Sequence, residues 1–133
     1  MSITEKISKS LQTATVHLKN LTNALGKGDE NSFADGIWHL AAELEYALFL
    51  FSITIQSESE SAKWKPNPEV KNMETESMLA NVQSLLGDAE KFLIEGNLHE
   101  AYRSAYVARH YTLKIQEDLA KKKREALKRK QQQ

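Results

Sequence analysis

Part of this chain resembles a later part of the same chain, and this internal similarity constrains the fold more than any other feature. Residues 21–53 and 89–119 each contain an apolar helix end, a glycine turn and an alanine-rich helix. Shifting one stretch by 67 positions superposes Ala34 on Ala101, and the two glycine turns then differ by a single residue. A repeated helix–turn–helix unit predicts two antiparallel hairpins that pack together as a four-helix bundle.

The spacing of apolar residues predicts four helices and no strand. Apolar side chains recur at steps of three and four, which places them on one face of a helix. Ser2 with Glu5 forms a capping box, and Asn97 with Glu100 resembles one. The predicted helices cover about 3–25, 32–56, 68–94 and 98–127, and a polar linker at 57–67 is long enough to cross one end of a bundle.

The predicted fold class is therefore all-α, a four-helix bundle made of two duplicated antiparallel hairpins. The bundle is expected in residues 1–120 and a basic tail in residues 121–133. A single domain of this length can bury a core without staples, and the absence of cysteine excludes disulfides and thiolate metal sites.

Apolar runs and termini bear on location. The longest apolar run, residues 46–55, is interrupted by Ser52 and Thr54 and is shorter than the roughly 20 residues that a membrane span needs. The first twelve residues lack the apolar segment of a secretory signal. We therefore expect a soluble cytoplasmic protein without a membrane partner.

Charge is distributed unevenly although the net charge is zero. Residues 121–130 carry seven Lys/Arg and one Glu, a net +6, whereas residues 1–120 carry a net −6. A basic tail predicts contact with RNA, DNA or an acidic protein; the alternative is a solubilising end whose cations suit the helix C-terminus. The candidate binding residues are Lys121, Lys122, Lys123, Arg124, Lys128, Arg129 and Lys130.

The second predicted helix is apolar nearly all round in its C-terminal half. Such a helix either lies at the centre of a bundle or turns half of its surface toward a partner. The sequence pattern leaves both alternatives open. The candidates for a homodimer interface are Phe49, Leu50 and Ile53.

Metal and cofactor chemistry is not indicated. Di-iron bundles need inward-pointing Glu-x-x-His motifs, and this sequence contains none. The pairs Asp35–His39 and His39–Glu43 have the spacing of ordinary ion pairs on a helix surface. We therefore predict no metal site and no cofactor.

One polar pattern in the fourth helix has a possible catalytic interpretation. Arg103 and His110 are seven residues apart and share a helix face. An arginine can hold a phosphate while a neutral histidine takes a proton from a 2′-hydroxyl, which would cleave RNA without a metal. The favoured interpretation is the solvated polar face of an amphipathic helix.

The repeated hairpins resemble those of the HEPN superfamily (higher eukaryotes and prokaryotes nucleotide-binding). The stretch GKGDENSFADGIWHLAAELEYAL is similar to archaeal branches that include the PaREP-type proteins, and DAEKFLIEGNLHEAYRSAYVAR is similar to the archaeal domain of unknown function 357. Together these stretches cover about half of the chain.

The resemblance implies a four-helix bundle that is often dimeric. Some members are ribonucleases with an Arg-x(4–6)-His motif and are paired with a nucleotidyltransferase-like partner, whereas others lack the motif and serve as binding modules. Arg103-x(6)-His110 fits the loose form of the motif. It departs from the usual form because Ser104 follows the arginine, where that form has a polar Asn or Asp, and because the pair lies within a helix instead of near a helix break.

The sequence thus predicts a non-enzymatic α-helical interaction module. We expect it to form a homodimer through the second helix, with a basic tail that contacts nucleic acid or an acidic partner. The alternative is a HEPN-like ribonuclease, completed across a dimer, in which His110 is the base and Arg103 holds the phosphate.

Overall fold

A computed structural model describes residues 2–55 and 73–131, which form four α-helices and no strand. The helices are α1 (Ile3–Gly26), α2 (Glu30–Ile55), α3 (Thr75–Ile94) and α4 (Leu98–Gln131). The all-α four-helix prediction is confirmed. The predicted linker at 57–67 and the predicted helix start at 68 lie outside the described residues. Met73 and Glu74 are described and are not helical, so α3 begins at Thr75.

Both hairpins close with the same turn. After α1 the backbone of Gly28 has a φ of +73°, and the N–H of Asp29 donates to the carbonyl of Ala24 at 3.0 Å. After α3 the φ of Gly96 is +79°, and the N–H of Asn97 donates to Phe92 at 2.8 Å. This is the Schellman arrangement, in which glycine takes the left-handed conformation and satisfies the last helical carbonyls.

The residue after each turn glycine also begins the next helix. The Asp29 side chain accepts a hydrogen bond from the Ser32 N–H at 3.2 Å, and the Asn97 side chain accepts one from the Glu100 N–H at 3.4 Å. Hydrogen bonds from Ser32 lower the pKa of the Asp29 carboxyl below its usual value. Each turn thus combines a helix stop and a helix start in consecutive residues.

The turns and the core give the two hairpins one common register. The turn glycines, Gly28 and Gly96, differ by 68 positions, so the shift of 67 inferred from sequence is wrong by one residue. At 68, each of the five buried residues of α4 falls on a buried residue of α2. The pairs are Phe33 and Ala101, Ile37 and Ala105, Leu40 and Ala108, Leu44 and Thr112, and Ala47 and Ile115. A common origin of the hairpins stays a prediction.

The helices form a square in which α1 and α4 lie on one diagonal and α2 and α3 on the other. Phe51 contacts Tyr102, and Glu45 pairs with Arg109, so α2 and α4 run antiparallel. It follows that α2 and α3 run in the same direction and that the end of α2 and the start of α3 lie at opposite ends of the bundle.

The core lies along the bundle axis, and α2 supplies more of its bulk than any other helix. Phe51, Leu40 and Leu44 are fully buried there. Helices α1 and α2 approach closely at Gly36, where an added Cβ would lie 2.5 Å from the Cβ of Leu21. Helix α2 is also long and apolar enough to cross a membrane, and 44% of its most apolar window is buried inside the bundle.

Candidate functional site

A row of exposed apolar side chains runs along the outward face of α2. Trp38 is 66% exposed, Phe49 62%, Tyr46 46% and Ile53 42%, and Ala42 is exposed between them. Their steps of four, four, three and four follow one face of the helix. We call these five residues the outer stripe. A row of exposed apolar side chains on a small domain is a candidate interaction surface.

The structure separates the three residues that the sequence placed at an interface. Phe49 and Ile53 belong to the outer stripe, whereas Leu50 is only 6% exposed and packs in the core. One residue turns a helix by about 100°, which carries Leu50 off the exposed face. Leu50 is therefore corrected from an interface candidate to a core residue. Trp38 and Tyr46 were missed, although their spacing of i, i+4 and i+8 with Ala42 was visible in the sequence.

A shallow groove beside the outer stripe separates α1 from α2. It is lined by His17, Trp38, His39, Ala42 and Glu43. The two imidazole rings meet edge to face with centroids 5.6 Å apart, and the Nδ1 of His39 lies 2.8 Å from the backbone oxygen of Asp35.

Neither the groove nor any other place in residues 2–55 and 73–131 gathers three His, Cys, Asp or Glu side chains suited to a metal ion.

An ion pair borders the other side of the outer stripe. The Nε of Arg109 on α4 contacts the carboxylate of Glu45 on α2. The guanidinium carbon also lies 6.0 Å from the centroid of the Tyr106 ring. This pair joins α2 to α4 at the edge of the exposed face.

The two residues of the catalytic hypothesis have different surroundings. Arg103 pairs with Glu100 at 2.9 Å, in the turn that lies away from His110. The His110 ring packs against Tyr106 at 4.8 Å, and its Nε2 is buried without a hydrogen-bond partner in the described part of the chain. Seven residues separate Arg103 and His110 by about 10 Å along the helix. Arg103 is thus paired with Glu100 in this structure, and a joint catalytic role of Arg103 and His110 stays a prediction.

His110 is nonetheless shifted in its acid–base behaviour. Burial, with a further contribution from the Arg109 charge, lowers the pKa of the His110 imidazole. The same column of rings includes Tyr102, whose pKa burial raises. A neutral imidazole is therefore favoured at position 110.

The basic tail is a solvent-exposed continuation of α4. Helix α4 continues to Gln131, beyond the predicted end at 127, while its last buried residue is Ile115. Residues 121–131 are exposed and extend the helix by roughly 16 Å. Because a helix turns about 100° per residue, the seven predicted cations point in all directions around this segment.

Comparison with protein-family models, with curated proteins and with solved structures finds no match to this chain. The resemblance to HEPN hairpins accordingly stays a prediction.

Proposed function

We propose that this chain is a non-enzymatic α-helical interaction module that forms a homodimer through the outer stripe and binds polyanions through its basic helix end. The observation that carries the proposal is the exposure of Trp38 and Phe49 on the outward face of α2. Exposed aromatic rings contribute favourable burial free energy only when a partner covers them.

The corresponding face of α4 supports this interpretation. Under the shift of 68, the counterparts of Tyr46, Phe49 and Ile53 are Lys114, Glu117 and Lys121. A helix in the same position of the second hairpin therefore folds with charged residues there. At these three positions an apolar side chain is therefore not needed for the hairpin fold and calls for another explanation, whereas the counterpart of Trp38 is another ring, Tyr106.

The available area fits a modest interface. A Trp, Tyr or Phe side chain buries about 150–250 Å², so the three rings at their observed exposure offer roughly 350 Å² on each copy. Two copies would supply about half of the 1,200 Å² that a stable interface requires. Ala42, Ile53 and the groove beside them would contribute to the rest.

The second part of the proposal rests on the exposed cations of residues 121–130. A net charge of +6 on an exposed helix attracts phosphates or an acidic protein segment whatever the sequence of that partner. No aromatic residue lies among them, so base stacking is not expected.

Sedimentation analysis of the full chain tests association. We expect a dimer for the unchanged protein and a monomer for the double variant Phe49→Glu, Ile53→Lys, which carries the residue types of α4 at the equivalent positions. Val16→Glu is the matched control, because Val16 is 56% exposed on α1 and lies outside the stripe. A monomeric unchanged protein, or a dimer that survives the double variant, would contradict the proposal.

Binding of labelled single-stranded RNA and duplex DNA in EDTA, at several salt concentrations, tests the basic helix end. The triple variant Lys128→Gln, Arg129→Gln, Lys130→Gln should bind more weakly, and its salt slope on RNA should fall by about 2. The RNA should remain intact on a gel. Cleavage that is lost in His110→Ala would instead favour the ribonuclease alternative, and the absence of binding would leave only the dimer part of the proposal.

A further inference from the structure

We infer that the second copy lays its α2 antiparallel on the outer stripe, with Phe49 of each copy seated over Ala42 of the other. This inference rests on the proposed homodimer and adds its geometry. The two-fold axis would pass between Glu45 and Tyr46, at the middle of the stripe.

The spacing of the outer stripe is the first support for this geometry. Positions 38 and 53, and positions 42 and 49, are symmetric about the point between 45 and 46. Reversing the helix therefore places the small Ala42 opposite the large Phe49, and Trp38 opposite Ile53. A parallel pairing would set Phe49 against Phe49 and Ala42 against Ala42, which leaves a clash at one level and a gap at the other.

The shape of the surface is the second support. The shallow groove is lined by Ala42, the smallest residue of the outer stripe, together with Trp38 and His39. A ring entering there would contact the indole of Trp38 in the offset or edge-to-face manner that aromatic pairs prefer. Such an insertion of one side chain between residues of a facing helix is the usual packing of paired helices.

Charge is the third support. Helix α2 contains no Lys or Arg, and its acidic residues all lie at or before Glu45. Antiparallel pairing about this axis places Glu43 opposite the uncharged Leu48 of the other copy and leaves Glu30 and Asp35 beyond the end of its α2. Parallel pairing would align like charges and like helix dipole ends. Near the axis, each Glu45 carboxylate keeps the Arg109 guanidinium of its own copy as its counterion.

Cross-linking distinguishes this geometry from the others, because the chain contains no cysteine of its own. A single Tyr46→Cys variant, close to the axis, should be joined to its own copy by a short bis-maleimide. A single Ile53→Cys variant should not, because its two copies would be about 22 Å apart along the helices. Sedimentation of each variant shows whether it is still a dimer.

The outcomes separate the inference from the proposal beneath it. Cross-linking at both positions indicates parallel helices, and cross-linking at neither position in a protein that is still a dimer indicates a different face; either result overturns the inference and leaves the homodimer. A monomeric protein overturns both. A monomer that floats with neutral phosphatidylcholine vesicles, and no longer does so after Phe49→Glu, would assign the stripe to a lipid surface.

A size exchange tests the contact between positions 42 and 49 directly. Ala42→Phe should weaken the dimer about tenfold or more, because two rings would then compete for one space. Adding Phe49→Ala should restore most of the affinity. Both side chains are exposed in the monomer, so the circular dichroism of each variant should match that of the unchanged chain. A double variant that dimerises no better than Ala42→Phe would overturn the proposed contact.

Discussion

The two hairpins share their turns and the positions of their buried residues, yet they fill those positions with side chains of different size. At four equivalent positions α2 carries Phe33, Ile37, Leu40 and Leu44, whereas α4 carries Ala101, Ala105, Ala108 and Thr112. The spacing of buried positions and the chemistry of the turns are thus enough to define the hairpin. Side-chain volume decides which helix fills the core.

The contact within each hairpin shows the same exchange of volume at one point. In the first hairpin Leu21 lies against Gly36, where no Cβ can be added without a clash. The equivalent residues of the second hairpin are Ala89 and Ser104. The first hairpin pairs a large side chain with a glycine, and the second pairs two small side chains. The combined side-chain volume therefore changes little, as close packing requires.

Loss of the bulk supplied by α2 should have the largest effect. Phe51 is fully buried and lies edge-on to Tyr102, while its counterpart Leu119 is only partly buried. We expect Phe51→Ala to lower the free energy of unfolding by about 3–5 kcal/mol and Leu119→Ala by about 1 kcal/mol. Urea unfolding of both variants measures the difference, and equal losses would contradict the unequal contributions of the two helices.

A transplant between hairpins should have a smaller effect. Gly36→Ser should lower the free energy of unfolding by about 1–3 kcal/mol, because its Cβ would meet Leu21. The double variant Gly36→Ser, Leu21→Ala reproduces the pair Ser104 and Ala89. We expect serine at position 36 to lower the free energy of unfolding less in the Leu21→Ala background than in the unchanged chain.

Urea unfolding of Gly36→Ser, Leu21→Ala and the double variant gives the coupling between the two sites. Ser104→Gly is the control in the other hairpin and should cost no more than the helix propensity of glycine, about 1 kcal/mol. Additive effects at 21 and 36 would show that the two hairpins do not exchange volume at this contact.

Most of the fold could be predicted from the sequence because its signals are local. Steps of three and four identified the buried positions of α1, α2 and α4, and the capping residues Ser2 and Asn97 begin helices where expected. The sequence shift of 67 matches alanines, such as Ala34 and Ala101, whereas the shift of 68 seen in the structure matches the turn glycines. Ala34 is exposed and Ala101 is buried, which only the packing reveals.

The errors concern features that depend on neighbours in space. The helical pattern around Leu50 was apolar on all sides, so the sequence could not tell the side facing the core from the side facing out. The parallel course of α2 and α3 follows from the contact of Phe51 with Tyr102, which are far apart in the chain. The outer stripe was found only in part, because exposure of Trp38 depends on which face α1 and α4 leave uncovered.

The smallest predicted effect concerns position 110, whose counterpart in the first hairpin is the exposed Ala42. Folding lowers the pKa of His110 through burial and through the nearby Arg109 charge. The unfolded chain therefore binds a proton more readily than the folded chain, so stability rises with pH between the folded pKa and the ordinary value near 6.5. That stability is fully present above about 6.5 and is lost as the pH falls through this range.

Thermal unfolding at pH 7.5 and 5.5 should show a smaller loss of Tm in His110→Gln than in the unchanged chain. The remaining histidines are common to both proteins, so their contributions cancel in the comparison. The Arg109→Gln variant separates the two causes. Removing the neighbouring charge should reduce the pH dependence only in part, because burial of the Nε2 atom is the larger cause. An unchanged or steeper loss in His110→Gln would show that folding does not lower the pKa of this imidazole.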